Sequence, residues 1–189
     1  LNSFLHLREG IVKTDRTNGK VQVNSNATAA VAFHSDQSYV SGILNRAVSS
    51  STVYDLPVGI DAEYQLATLT TDASFSGTSR IDAQFISGPG LEVVPAPNIV
   101  KGTSFDETTA GGFWRIDPNA PLFFGSFGLR LNKSNSSPIG IEFVVVKRGT
   151  AWAVPSGPEV HEDWGLAPPN IIWASALGYT SFSDFDIAY

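Results

Sequence analysis

The residues of this chain best placed by type and spacing to do chemistry lie in Glu159-Val160-His161-Glu162-Asp163. An imidazole flanked by carboxylates is a donor set that a divalent cation accepts, so His161, Glu162 and Asp163 are the metal-ligating candidates. The same run lies between Pro158 and Pro168, and an acidic, solvated loop is the simpler account of it. His6 and His34 stand at no metal-ligand spacing from it or from each other. Asp61 and Glu63, two residues apart, place carboxylates on one face of a strand. They would flank a sugar bond if that face lined a cleft, and otherwise they are the wet face of a half-buried strand. Glu142 stands inside an apolar run, where burial raises a carboxyl pKa unless a partner compensates. Arg130, across a hairpin, is the partner expected.

Other chemistries are missing from the sequence. There is no Cys, which removes disulfides, thiolate metal sites and a cysteine nucleophile. No Gly-x-Ser-x-Gly elbow, phosphate loop or dinucleotide fingerprint occurs. The chain therefore reads as a non-enzyme, and no cofactor is implied. Of the aromatic residues, Trp164 in the acidic run, Trp173 and Tyr179 are the candidates for an interaction surface, because aromatic side chains dominate interface hot spots. Trp152 reads as core.

The elements that would position these groups are strands. Pro121 to Pro155 is the most apolar stretch, cut by the polar turn chemistry of Asn132 to Pro138. Its aromatic, β-branched arms, Leu122 to Leu131 and Ile139 to Val146, suit a packed sheet and predict a long central hairpin. Lys147-Arg148-Gly149 ends the second arm, and Ala151 to Val154 adds a short strand. Asn18-Gly19 between strand-like runs predicts a tight hairpin, since type I′ turns need φ > 0 at both positions. From Gly59, alternation predicts a strand with Ile60, Ala62, Tyr64 and Leu66 inward. Arg80 to Ile86 is its expected antiparallel neighbour, with Ile81, Ala83 and Phe85 inward. Gln37 to Val48 has rough helical spacing and leaves room for one short helix. Lys101 to Gly112 reads as a polar surface loop.

Roughly ten to twelve short strands at this spacing predict one all-β domain. The expected form is an antiparallel β-sandwich, jelly roll in type, with at most one short helix. Residues 1–155 would form the sandwich, and 156–189 a proline-flanked strap or arm packed on the domain or on a neighbour.

Composition narrows the partners. At 189 residues the chain is long enough for one well-buried domain. Hydrophobic residues make up 42% and charged ones only 16%, against about a quarter in ordinary domains. Much of the surface must then be Ser, Thr, Asn and Gly, or be covered by a partner. The net charge is −6, with Arg8, Lys13, Arg16 and Lys20 near the start and no basic residue after Arg148. Nucleic-acid contact is therefore weak at most. No apolar run reaches the roughly 18 residues of a membrane span. The chain has no Met, which fits a processed product or an excised domain. Sequons stand at Asn26, Asn132 and Asn135, so the compartment is left open.

The pattern from Phe113 onward resembles the closing strands of viral jelly-roll coat proteins. The strand Leu122 to Leu131, the polar loop Asn132 to Pro138 and the β-branched run Gly140 to Pro155 carry that resemblance. It implies a structural subunit that assembles with copies of itself or with related coat subunits, located in a virion. Coat proteins of small RNA viruses usually open with a strongly basic arm, and this chain has none. The rival expectation is an extracellular, lectin-like β-sandwich using exposed aromatic residues. Surface glycans or a host receptor are partners that either reading admits.

Overall fold

The computed structural model describes residues 3–15, 19–61, 63–88, 92–96, 98–101, 103–105, 107–109, 111–133, 142–154, 159–167 and 171–189. Leu5–His6 (β1), Val12–Lys13 (β2) and Lys20–Val23 (β3) precede a 3-10 turn at Thr28–Ala30. Val31–Ala32 (β4), Val40–Ser41 (β5) and Ile43–Ala47 (β6) lead to the long strands Val53–Ile60 (β7) and Glu63–Thr71 (β8). Arg80–Ile86 (β9), Ile99–Val100 (β10), Thr103–Ser104 (β11), Phe113–Pro118 (β12) and Phe127–Lys133 (β13) follow. Val144–Arg148 (β14), Trp152–Ala153 (β15), Val160–Ala167 (β16), Ile171–Tyr179 (β17) and Asp184–Ala188 (β18) complete the order.

Two seven-stranded sheets form, one in the order β15-β14-β18-β12-β9-β6-β3 and the other β16-β17-β13-β8-β7-β5-β2. Alternation explains why they stack. Ile81, Ala83 and Phe85 of β9 are buried while Arg80, Asp82 and Gln84 are partly exposed, so each strand offers one apolar row. Those rows meet in a core that includes Tyr54, Leu69, Trp114, Phe127, Leu131 and Phe185. The chain is thus the all-β sandwich that its spacing predicts. Among the described residues there is no α-helix, and no helix long and apolar enough to cross a membrane.

β14 is apolar on both faces because each face has a cover. Val145 joins the main core, whereas Val144 and Val146 pack with Val94, Phe105, Phe113 and Trp152 in a second cluster. The β9–β12 connection supplies Val94 and Phe105. Phe105, Thr108 and Thr109 are buried, so the stretch expected as a polar surface loop is partly an outer layer over the sheet.

Other expectations change with the register. The strand expected across Gly59 to Leu66 is a hairpin corner, with Asp61 at φ 52 between the antiparallel β7 and β8. The corner inverts the phase, so that Gln65, Ala67 and Leu69 point inward and Tyr64 and Leu66 do not. β9 lies in the opposite sheet from β8, between β12 and β6. Gln37 to Val48 holds no helix. It contains β5 and β6, which are recruited into ladders by strands distant in sequence. The Asn18-Gly19 hairpin does not form either: Asn18 is outside the described residues, and β2 and β3 belong to different sheets, each parallel to its partner.

The predicted central hairpin is also replaced. β13 pairs with β8 and β17, while β14 pairs with β15 and β18 in the other sheet. Residues 134–138 of the expected loop lie outside the described residues. With the arms in separate sheets, Glu142 and Arg130 do not pair. Glu142 is exposed and accepts a 2.6 Å hydrogen bond from the Thr103 hydroxyl, and the Arg130 guanidinium lies 4.0 Å over the Trp173 ring. The segment expected as a strap contributes β16, β17 and β18. β17 lies between β16 and β13, and β18 between β14 and β12.

Candidate functional site

Two surface features are built well enough to act on a partner. The first lies at β16, the edge strand of its sheet. Its pairing with β17 shifts between His161 and Asp163, leaving Glu162 as the extra residue of a bulge. Bulges bend an edge strand and re-aim its side chains. Here the result is that His161 turns inward, 7% exposed, while Glu162 and Asp163 face solvent. Lys101, which follows β10, reaches this bulge, its ammonium 3.5 Å from the Glu162 carbonyl. Between them is a cavity of about 250 Å³, lined by Lys101, Phe105, Glu142, His161, Asp163 and Trp164 among others.

The electrostatics of this cavity follow from its position. Burial pushes the His161 imidazole below the ordinary histidine range and Lys101 adds to that, against the pull of Asp163 and Glu142. A neutral ring has one donor and one acceptor nitrogen, and its buried Nδ1 has no hydrogen-bond partner among the described residues. His161, Glu162 and Asp163 all line this cavity, but they do not form a metal-ligand set. Among the described residues no three His, Asp or Glu groups converge to hold an ion. Asp61 sits in the β7–β8 corner and Glu63 opens β8, so neither reaches this cavity.

The expected interaction residues divide three ways. Trp164 is half-buried, with its ring edge-to-face on Phe143 at 5.7 Å and its remaining surface on the cavity. Trp173 lies partly exposed on β17 under Arg130. Tyr179 does not reach the surface: it is fully buried, packed 5.6 Å from Phe127 and 5.1 Å from Phe185. An irregularity in the pairing of β17 with β13 sets this: Leu129 pairs with Ala176 but Phe127 with Tyr179, so the inward row of Ile172, Ala174 and Ala176 shifts by one residue and Tyr179 joins it.

The second feature was not legible as a surface from the sequence. The crossover from β12 to β13 passes between the sheets at one end of the sandwich, and Phe123 and Phe124 stand out from it, 71% and 73% exposed. This crossover is pinned along its length. Ser76 and the Phe123–Phe124 backbone exchange hydrogen bonds of 2.9 and 3.1 Å. The Asp72 carboxylate accepts from the Ser126 amide and hydroxyl at 2.6 and 2.8 Å, and the Thr78 hydroxyl donates to the Ala120 carbonyl. Gly125, at φ +84, supplies a corner that a side chain would strain. Beside the two rings opens a cleft of about 420 Å³ lined by Pro118, Ala120, Pro121, Leu122, Phe182 and their neighbours.

No family model, no curated protein and no solved structure matches this chain.

The functional reading therefore rests on these two features. The cavity was signalled in the sequence by the acidic run around His161, although Glu142 and Lys101 come from distant segments. The rim was hidden because Phe123 and Phe124 look like strand residues until Gly125 is known to turn the chain.

Proposed function

We propose that this protein is a structural subunit of a symmetric assembly made of copies of itself or of related coat subunits, with a viral coat or its surface layer as the specific form. The observation that carries the proposal is the Phe123–Phe124 pair held on a pinned crossover. An exposed aromatic pair costs solubility unless something covers it, and the hydrogen bonds around it mean that little is lost in ordering it when a partner binds. The apolar cleft beside it supplies a receptor of matching chemistry. Knob and cleft on one rim make a patch that a second copy can meet by two-fold or cyclic symmetry.

The sheet edges favour that mode over strand addition. β2 and β15 have two residues each, β3 has four, and β16 is interrupted by its bulge. Short and bulged edges are poor templates for another strand. Association then falls to the end of the sandwich. A virion location follows from the coat form of the proposal, and contact with a host receptor or surface glycans would be made by surfaces left free after assembly.

A photo-crosslinker tests this directly. With p-benzoylphenylalanine in place of Phe123, irradiation is expected to join two chains, with the adducts mapping to residues 118–122 and 180–182 of the second copy. Adducts confined to the same chain at every protein concentration would overturn the proposal.

A further inference from the structure

We propose that the cavity between the β16 bulge and the β10–β11 hairpin binds a small, neutral, ring-shaped polyol, a saccharide unit of pyranose size. This is independent of the assembly reading and rests on different residues. His161 lines the cavity, is 7% exposed, and leaves its buried Nδ1 without a hydrogen-bond partner among the described residues. A buried polar atom left unpaired costs free energy, and a ligand hydroxyl can act as donor or acceptor, whichever the imidazole requires.

The surrounding groups choose the chemical class. Glu142 and Asp163 offer carboxylate oxygens, and each is already oriented: Glu142 by the Thr103 hydroxyl at 2.6 Å, Asp163 by the Trp164 amide at 2.8 Å. Carboxylates accept from vicinal hydroxyls, while Lys101 on the opposite lip can donate to a ring or hydroxyl oxygen. Trp164 and Phe105 provide an apolar wall for the C–H face of a ring. Glu142, Glu162 and Asp163 outnumber Lys101, which disfavours phosphates, sulfates and other anions. No three ligating groups converge, which disfavours a divalent cation. At about 250 Å³ the space is smaller than the roughly 300–1,000 Å³ typical of drug-sized sites, so one ring unit is the natural occupant.

The test is a titration of the whole chain with methyl α-glucopyranoside, methyl α-galactopyranoside and methyl α-mannopyranoside, followed by tryptophan fluorescence and by imidazole ¹⁵N shifts. At least one glycoside is expected to bind near 1 mM, the order expected of a single small site, and to move the His161 resonance. Glu142→Gln and Asp163→Asn change exposed side chains, so the fold should survive, and each should weaken binding about tenfold. The proposal is overturned if no glycoside moves the His161 signal, if binding is unchanged in both variants, or if only a divalent cation or an anion binds there. Loss of self-association in the Phe123 experiments would leave this result untouched.

Discussion

The Lys133 ammonium and the Asp186 carboxylate form an ion pair 2.7 Å long inside the protein, with side chains 1% and 4% exposed. It joins the two sheets, since Lys133 ends β13 and Asp186 lies in β18. Lys133 also donates to the Thr109 hydroxyl and to the carbonyls of Thr109 and Gly112. The main-chain amide of Ile187 donates to Asp186. The pair therefore fastens the β9–β12 connection to both layers of the sandwich. Removing one partner of a buried pair leaves an uncompensated charge. Lys133→Met and Asp186→Leu are each expected to lower the unfolding free energy by about 3–5 kcal/mol, measured by urea denaturation. The double variant should cost well under their sum, because the charges are lost together. Additive costs would contradict the pairing.

The same pair gives a pH dependence. Burial pushes the Asp186 carboxyl up to about 6 from an ordinary value of 3.8, with Lys133 pulling in the opposite direction. The folded protein then holds a proton at a pH where the unfolded chain has lost it. This contribution is full below the unfolded value and disappears as pH rises through about 6. A shift of this size corresponds to about 3 kcal/mol. Asp55 acts in the opposite sense: the hydrogen bond from His34 holds its carboxyl below the usual range despite burial. Its contribution is present above the unfolded value and lost as pH falls through the lower folded one. Stability is thus expected to decline between pH 4 and 6, and Asp186→Asn should remove that slope. A ¹³C titration of Asp186 reads the same event directly, and a midpoint below the ordinary carboxylate range would contradict it.

Arg46 supports a different part of the fold. It is fully buried, and it donates to the carbonyls of Asp55, Ala27 and Thr28 at 2.5, 3.0 and 2.7 Å. Its guanidinium also lies 4.9 Å over the Tyr54 ring. The fork places one amino group on Asp55 and the other on Ala27 and Thr28, a spread that the single nitrogen of a lysine cannot span. Arg46→Lys is expected to cost about 2–3 kcal/mol and to speed amide exchange in the Thr28–Ala30 turn. A variant within about 0.5 kcal/mol of the parent would show that the carbonyls are satisfied in another way.

How far the sequence revealed these features depended on how local they were. The alternation of Ile81, Ala83 and Phe85 reports its own environment and was readable directly. The phase of β8 was not, because a single corner at Asp61 reverses it. The arms on either side of 132–138 look like hairpin partners, yet the first pairs with β8 and β17 and the second with the distant β18 and the nearby β15. Lys133 continues the inward row of Phe127, Leu129 and Leu131 as the last residue of β13, but it stood in the stretch expected as a polar turn, so its burial was not legible. Its partner Asp186 was hidden within a short apolar piece of the tail. For the cavity, the run around His161 was visible, but its opposite wall comes from Lys101, Phe105 and Glu142, which only the folded chain brings near.

In the proposed assembly, Phe123 and Phe124 are covered by another copy of this chain. Static light scattering on the purified protein, over a range of concentration, salt and pH, tests it most directly when run beside a Phe123→Ser, Phe124→Ser double variant. The result expected for the parent chain is a mass that rises in steps of the subunit to a defined assembly. The variant should stay at the 20.2 kDa of one chain, with its thermal midpoint unchanged because both rings are exposed. A parent chain that remains at the mass of one subunit under every condition would contradict it.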